Sequence, residues 1–308
     1  MTATGTVSES WRTRSRLMRR ATFAAVGISG LLVILKAVAY VVTGSVAMMA
    51  SLADSALDLF ASSINLFAIN QSLTPADREH RFGHGKAEPL AGLAQSAFIA
   101  GSATFLVVQS IGRIVYPRAL DHPAVGLAVM IFSIAAVLAL VIYQRLAVAR
   151  TGSIAIRADR IHYLGDLMSN IGVALGIALS ARFGILLADP VVGLIVAAVL
   201  AANAWHVFRQ SYDQLMDREL PDEERERIKR IAREHRDVRN LHDLRTRAAG
   251  ISKFIQLHIE LDPAISLTRA HEVSDEVEEE ILAAFPDAQV IIHQDPAGVE
   301  RPPPLARS

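Results

Sequence analysis

The sequence has no cysteine among its 308 residues. Disulfides are excluded, and any metal must be held by His, Asp and Glu rather than by thiolates. Charge is also scarce: Asp, Glu, Lys and Arg make up 20% of the chain, against 52% apolar residues. That balance excludes a disordered chain and leaves an ordinary soluble enzyme with too much apolar surface to cover. Neither sign of charge dominates, at 31 basic and 31 acidic side chains, so the basic excess of a nucleic-acid-binding protein is missing and no nucleic-acid partner is expected. The zero net charge hides a split. Residues 1–211 carry 17 Lys and Arg against 10 Asp and Glu, and residues 212–308 carry 14 against 21, so +7 is followed by −7. Two parts with different solvents are implied, a membrane part and an acidic soluble tail.

A helix needs about 20 mostly apolar residues to cross a bilayer. Six stretches qualify as expected spans: Ala21–Val42, Ala47–Asn70, Leu90–Ile111, Ala124–Val148, Ile161–Ala181 and Pro190–Phe208. The second and fifth carry acids inside the span. The first is too long for a secretory signal, and no small-residue cleavage site follows it. Basic residues in short loops set orientation. Arg12, Arg14, Arg16, Arg19 and Arg20, then Arg78, Arg81 and Lys86, then Arg145, Arg150, Arg157 and Arg160 fall on one side; only Arg113, Arg118 and Arg182 fall on the other. Twelve against three places both termini in the cytoplasm of a multi-pass protein.

Beyond Phe208 the apolar runs shorten. Pro221 followed by Asp222, Glu223 and Glu224 reads as a helix start. Leu241–Arg247 reads as a strand, and Ser252–Leu261 alternates with strand period. Ser266–Ala284 reads as a helix with Ser266 as N-cap, and Val290–Ile292 as a short last strand. The order αββαβ implies a small sheet with helices on one face. The expected organisation is a cytoplasmic segment at 1–20, a six-helix membrane domain at 21–211, a small α+β cytoplasmic domain at 212–297 and a frayed end at 298–308.

An ionised carboxylate inside a membrane is costly, so it faces a partner or a cavity. Asp54 and Asp58 are four residues apart on the second span, and His162 and Asp166 are four apart on the fifth. That spacing puts each pair on one helix face. Three carboxylates and an imidazole from two helices suit a tetrahedral dication such as zinc. The alternative is that they bond between helices and bind nothing, but two acids one turn apart repel unless a cation or protons neutralise them. When the metal leaves, protons can replace it, and metal and proton then compete for one site.

Asp77, His80 and His84 lie in the second-to-third loop and are candidates for a second site at the membrane surface. His242, His258, His271 and His293, with Asp295, are scattered along the tail, and spacing alone does not assemble them. His122, His206 and His235 read as ordinary surface or span-end histidines. Gly83-His-Gly85 lacks the flanking strand and helix of a phosphate loop.

Taken together, Asp54-x-x-x-Asp58, the loop from Pro75 to Glu88 with its Phe-Gly-His-Gly-Lys-Ala-Glu core, His162-x-x-x-Asp166, Leu241-His-Asp-Leu-Arg-Thr-Arg and Ile291-Ile-His-Gln-Asp-Pro resemble the cation diffusion facilitator family. The likeness is to its bacterial branch of zinc and ferrous-iron efflux carriers, and it runs from the first span to Pro296. It implies a homodimer in the inner membrane, with six spans per subunit and a metallochaperone-like, ferredoxin-like cytoplasmic domain. It implies a transport site at Asp54, Asp58, His162 and Asp166, a loop site at Asp77, His80 and His84, and a tail site at His242, His258, His271, His293 and Asp295, with Asp295 bridging two ions. It also implies a salt bridge from Lys86 to Asp217. Zinc is the expected substrate and regulatory ion, with iron(II) and cadmium as further candidate substrates and protons as the counter-ion. A non-transporting membrane sensor or scaffold is the competing reading, and a channel the third; no enzyme is expected.

Overall fold

The computed structural model describes residues 9–43, 46–115, 124–183 and 188–299. Arg118, His122 and the last nine residues of the tail lie outside the described residues. The chain divides into two compact units, Arg14–Tyr212 and Asp213–Ser308, the latter grouped with Met1–Thr13.

In the first unit the described residues form six long helices. They are α1 (Glu9–Thr43), α2 (Val46–Ser72), α3 (Ala87–Val115), α4 (Ala124–Thr151), α5 (Ile154–Phe183) and α6 (Ala188–Leu215). Three contain stretches both long and apolar enough to cross a membrane: Trp11–Val42, Ala87–Gly112 and Ile131–Thr151. By the same measure α2, α5 and α6 do not qualify among the described residues. The outer surface is apolar: Phe23 and Ile34 on α1, Phe67 on α2, Phe105 on α3 and Ile131 on α4 are all exposed. Water does not tolerate so continuous an apolar face, whereas lipid does.

Helix α5 organises the interior. Ala158 and Ile161 join Ile99 and Ala103 of α3 and Val196, Leu200, Ala204 and Val207 of α6 in one apolar cluster. Tyr163 and Leu167 join Ala25 and Leu32 of α1 and Val137 and Leu140 of α4 in another. Its remaining face, carrying Asp159, His162 and Asp166, turns toward α2. Gly165 permits this arrangement: a Cβ there would sit 3.1 Å from Leu200 Cδ1 and closer still to Cδ2.

The second unit follows the order αββαβ: α7 (Asp222–Glu234), β1 (Asn240–Ala249), β2 (Ser252–Leu261), α8 (Leu267–Ala284) and β3 (Ala288–Pro296). Pro221 occupies the N-cap of α7, ahead of three acids in its first turn. Ser266 caps α8 by accepting a hydrogen bond from the Arg269 amide. The sheet order is β1-β2-β3, antiparallel between β1 and β2 and parallel between β2 and β3. Ile255, Leu257, Ile259 and Leu261 face Ile228 and Ala232 of α7 and Val273, Val277 and Ile281 of α8 in one core. Strand β3 is longer than its three apolar residues predict. It pairs with β2 from Ala288 to Pro296, and the backbone ladder holds the polar residues around Val290–Ile292 in extended form.

Candidate metal centres

In the membrane unit, a ladder of polar contacts climbs between α2 and α5. Asn65 Nδ2 donates to the Ala155 carbonyl at 3.4 Å, Ser62 Oγ donates to Asp159 Oδ1 at 3.2 Å, and Asp58 Oδ1 meets His162 Nε2 at 2.8 Å. Each step moves one turn down α2 and one turn up α5, as antiparallel neighbours require. Gln144 of α4 donates to Asp159 Oδ2 at 2.6 Å, and Ser62 also bonds the Tyr163 hydroxyl at 2.8 Å. Both Asp159 oxygens are satisfied in this way, while Asn65 Oδ1 and Gln144 Oε1 are buried without a hydrogen-bond partner.

The ladder ends in a ligand set. One donor atom from each of Asp58, His162 and Asp166 lies within 4.8 Å of the others. His162 Nε2 is 3.7 Å from Asp166 Oδ2, and that oxygen is buried without a hydrogen-bond partner. A buried carboxylate oxygen with no donor, beside an imidazole and a second carboxylate, fits a cation. Asp54 is exposed, one turn along α2 from Asp58, and is not part of the converging three.

In the loop after α2, Asp77 Oδ1 accepts from the backbone amides of His80 at 2.6 Å and Glu79 at 2.9 Å. These bonds hold its carboxyl below the usual carboxylate range. His80 Nδ1 and His84 Nε2 each lie 3.5 Å from an Asp77 oxygen, and the two rings are 4.4 Å apart. Gly83, at φ 78°, supplies the left-handed turn between them. His84 Nδ1 is buried without a partner. The three residues converge within 4.8 Å.

In the second unit, strand register creates what sequence spacing could not. His242, His258 and His293 are direct cross-strand neighbours on β1, β2 and β3. They share the face turned away from the helical core. Asp295, two residues past His293, points to the same row and is only 4% exposed. Its Oδ2 is 2.8 Å from His258 Nδ1 and 3.3 Å from His242 Nε2, and its Oδ1 is 3.1 Å from His293 Nε2. One buried carboxylate therefore faces three imidazoles. The group that converges most tightly is His242, His258 and Asp295. His271 stands apart on α8, exposed, with Asp275 at 3.6 Å.

Two acids that the sequence did not single out support this row. Glu260 Oε1 lies 3.2 Å from His242 Nδ1, which leaves the other ring nitrogen turned toward Asp295. Asp243 sits in a bulge of β1 at φ 47°, its Oδ2 3.9 Å from His258 Nε2, where Arg245 anchors it at 2.9 Å. Only the strand register marks either one. Asp217 pairs with Arg247 at 3.3 Å. His235 is part of a structural network: Nε2 meets Glu276 at 2.7 Å, and Arg269 bridges Glu276 and Asp237.

The family model for the cation efflux transmembrane domain matches residues 22–216, and that for the cation efflux protein cytoplasmic domain matches residues 220–297. The chain is 43% identical over 285 residues to the cation-efflux pump FieF of Serratia proteamaculans, covering 92% of this chain and 95% of that relative. It is 44% identical over 283 residues to FieF of Shewanella oneidensis, with 92% and 95% covered. Among solved structures, the metal-bound C-terminal domain of the CzcD transporter from Thermotoga maritima shares 32% identity over 25% of this chain and 93% of its own, with a TM-score of 0.25.

Proposed function

Starting from a chain that belongs to the cation diffusion facilitator family, and so is a membrane transporter for cation efflux and not an enzyme, we propose that it exports zinc in exchange for protons. Asp54, Asp58, His162 and Asp166 form the transport site of this reading. The observation that carries it is the convergence of Asp58, His162 and Asp166 around a buried oxygen that no donor satisfies. Asp54 completes the set when its turn of α2 closes on Asp166. The mixed carboxylate and imidazole donors suit zinc, and iron(II) and cadmium are further substrates of the same donor type. Proton coupling follows because crowded carboxylates hold either a dication or protons, and a carrier exposing that site alternately to each side exchanges the two.

The six helices are six membrane spans, with α2, α5 and α6 screened from lipid on their charged faces and both termini in the cytoplasm of the inner membrane. The domains divide as 1–20, 21–211, 212–297 and 298–308. The tail binds zinc through His242, His258, His293 and Asp295, with His271 as a further donor, and the bound ion draws two acidic subunits into a homodimer and raises transport. Asp77, His80 and His84 hold a further ion at the membrane surface.

The test is zinc movement in sealed vesicles under an imposed pH gradient. The antiporter accumulates zinc against its own gradient while the pH difference lasts and stops when a protonophore collapses it. Zinc entry indifferent to the protonophore would replace this reading with a channel.

A further inference from the structure

Lys36 is the sole charged residue between Ala21 and Val42. A lone ammonium at that depth is costly, and it persists only beside compensating groups. The structure supplies them. Lys36 Nζ donates to Ser55 Oγ at 2.6 Å and to the Ser51 carbonyl at 3.2 Å. Both acceptors belong to the turn of α2 that carries Asp54. The ammonium therefore sits against the turn of α2 from Ser51 to Ser55, which carries Asp54 and precedes Asp58 by one turn. Ser55 is itself buried, so the contact is held within the helix pair.

We propose that Lys36 is a resident cation of the membrane metal site and sets how tightly that site holds a dication. This rests on the transport-site reading above and adds a residue to it. The three carboxylates, when ionised, carry three negative charges, and Lys36 leaves two, the charge that one dication cancels. A loaded site is then neutral, the state a low-dielectric interior tolerates best. Without Lys36 the loaded site keeps a net negative charge, holds the metal more tightly and releases it slowly. The ammonium therefore trades affinity for turnover.

The experiment is initial-rate zinc transport by the full chain in vesicles, for the wild type, Lys36→Met, Lys36→Arg and Asp58→Ala. Removal of one positive charge beside the turn that carries Asp54 is expected to lower KM for zinc about tenfold and to lower kcat at least as much. Lys36→Arg keeps the charge and is expected to stay near wild-type KM. If Lys36→Met keeps wild-type KM, or Lys36→Arg and Lys36→Met lose kcat equally without a KM change, Lys36 is only a packing residue and the proposal is overturned. Asp58→Ala separates the two ideas: transport surviving in that variant refutes the site itself, whereas its loss beside an unaffected Lys36→Met refutes the role of Lys36 alone.

Discussion

Asp295→Asn isolates the tail site with almost no change of shape. The wild-type carboxylate is 4% exposed and faces three imidazoles at 2.8, 3.1 and 3.3 Å. An amide keeps the volume but loses the charge and most of the affinity for a dication. A complete zinc site contributes on the order of 10–16 kcal/mol. Loss of one of four ligands, and of the only charged one, then removes about 3 kcal/mol, or roughly a hundredfold in Kd. At zinc about 100 times the wild-type Kd, binding stabilises the wild-type domain by about 2.7 kcal/mol. For a domain of this size that raises Tm by about 10–20 °C. In Asp295→Asn the same zinc concentration is only comparable to Kd, and the shift shrinks to about 2–3 °C. The assay is thermal unfolding of the cytoplasmic domain's own transition, with and without zinc. A variant that keeps the full zinc-dependent shift would refute Asp295 as a ligand.

Three further outcomes follow from the geometry. Asp159→Asn turns an amide donor toward Gln144 or Ser62 and leaves a buried mismatch of about 1–3 kcal/mol; zinc flux should fall although every candidate ligand is intact, and an unchanged rate would show that the α2–α5 ladder does not position the site. Gly165→Ala forces a methyl against Leu200 and should destabilise the membrane unit by about 1–3 kcal/mol, read as a lower unfolding temperature in detergent. Glu276 is held down to about 2 by hydrogen bonds from Arg269 and then His235. Because its folded value is depressed, its contribution is complete above the unfolded value of about 4.3 and is lost as pH falls toward 2; Glu276→Gln should flatten the acid limb of domain stability in that window.

The parts legible in the sequence were those governed by local period. The αββαβ order, the Ser266 cap and the alternation of Ser252–Leu261 could all be read without a structure, because each is set by neighbours within a turn or a strand. So could the pairing of His162 with Asp166 on one helix face. Cross-strand and cross-helix relations could not. His242, His258 and His293 become one row only through the β1-β2-β3 register, and β3 outruns its apolar core because pairing with β2 carries its polar residues. Glu260 and Asp243 acquire meaning only beside that row, Asp243 through a bulge that no composition announces. Lys36 carries no signal in its own apolar run, because its partners Ser51 and Ser55 lie on another helix. Spacing grouped Asp54 equally with Asp58, yet the structure brings Asp58, His162 and Asp166 together and leaves Asp54 one turn outside.

The most direct test of the membrane site is simultaneous measurement of zinc and proton movement in vesicles for the wild type and Asp58→Ala. The account predicts zinc moving one way and protons the other in the wild type, with both movements lost in the variant while the tail still binds zinc. Coupled movement of both ions in Asp58→Ala would contradict it.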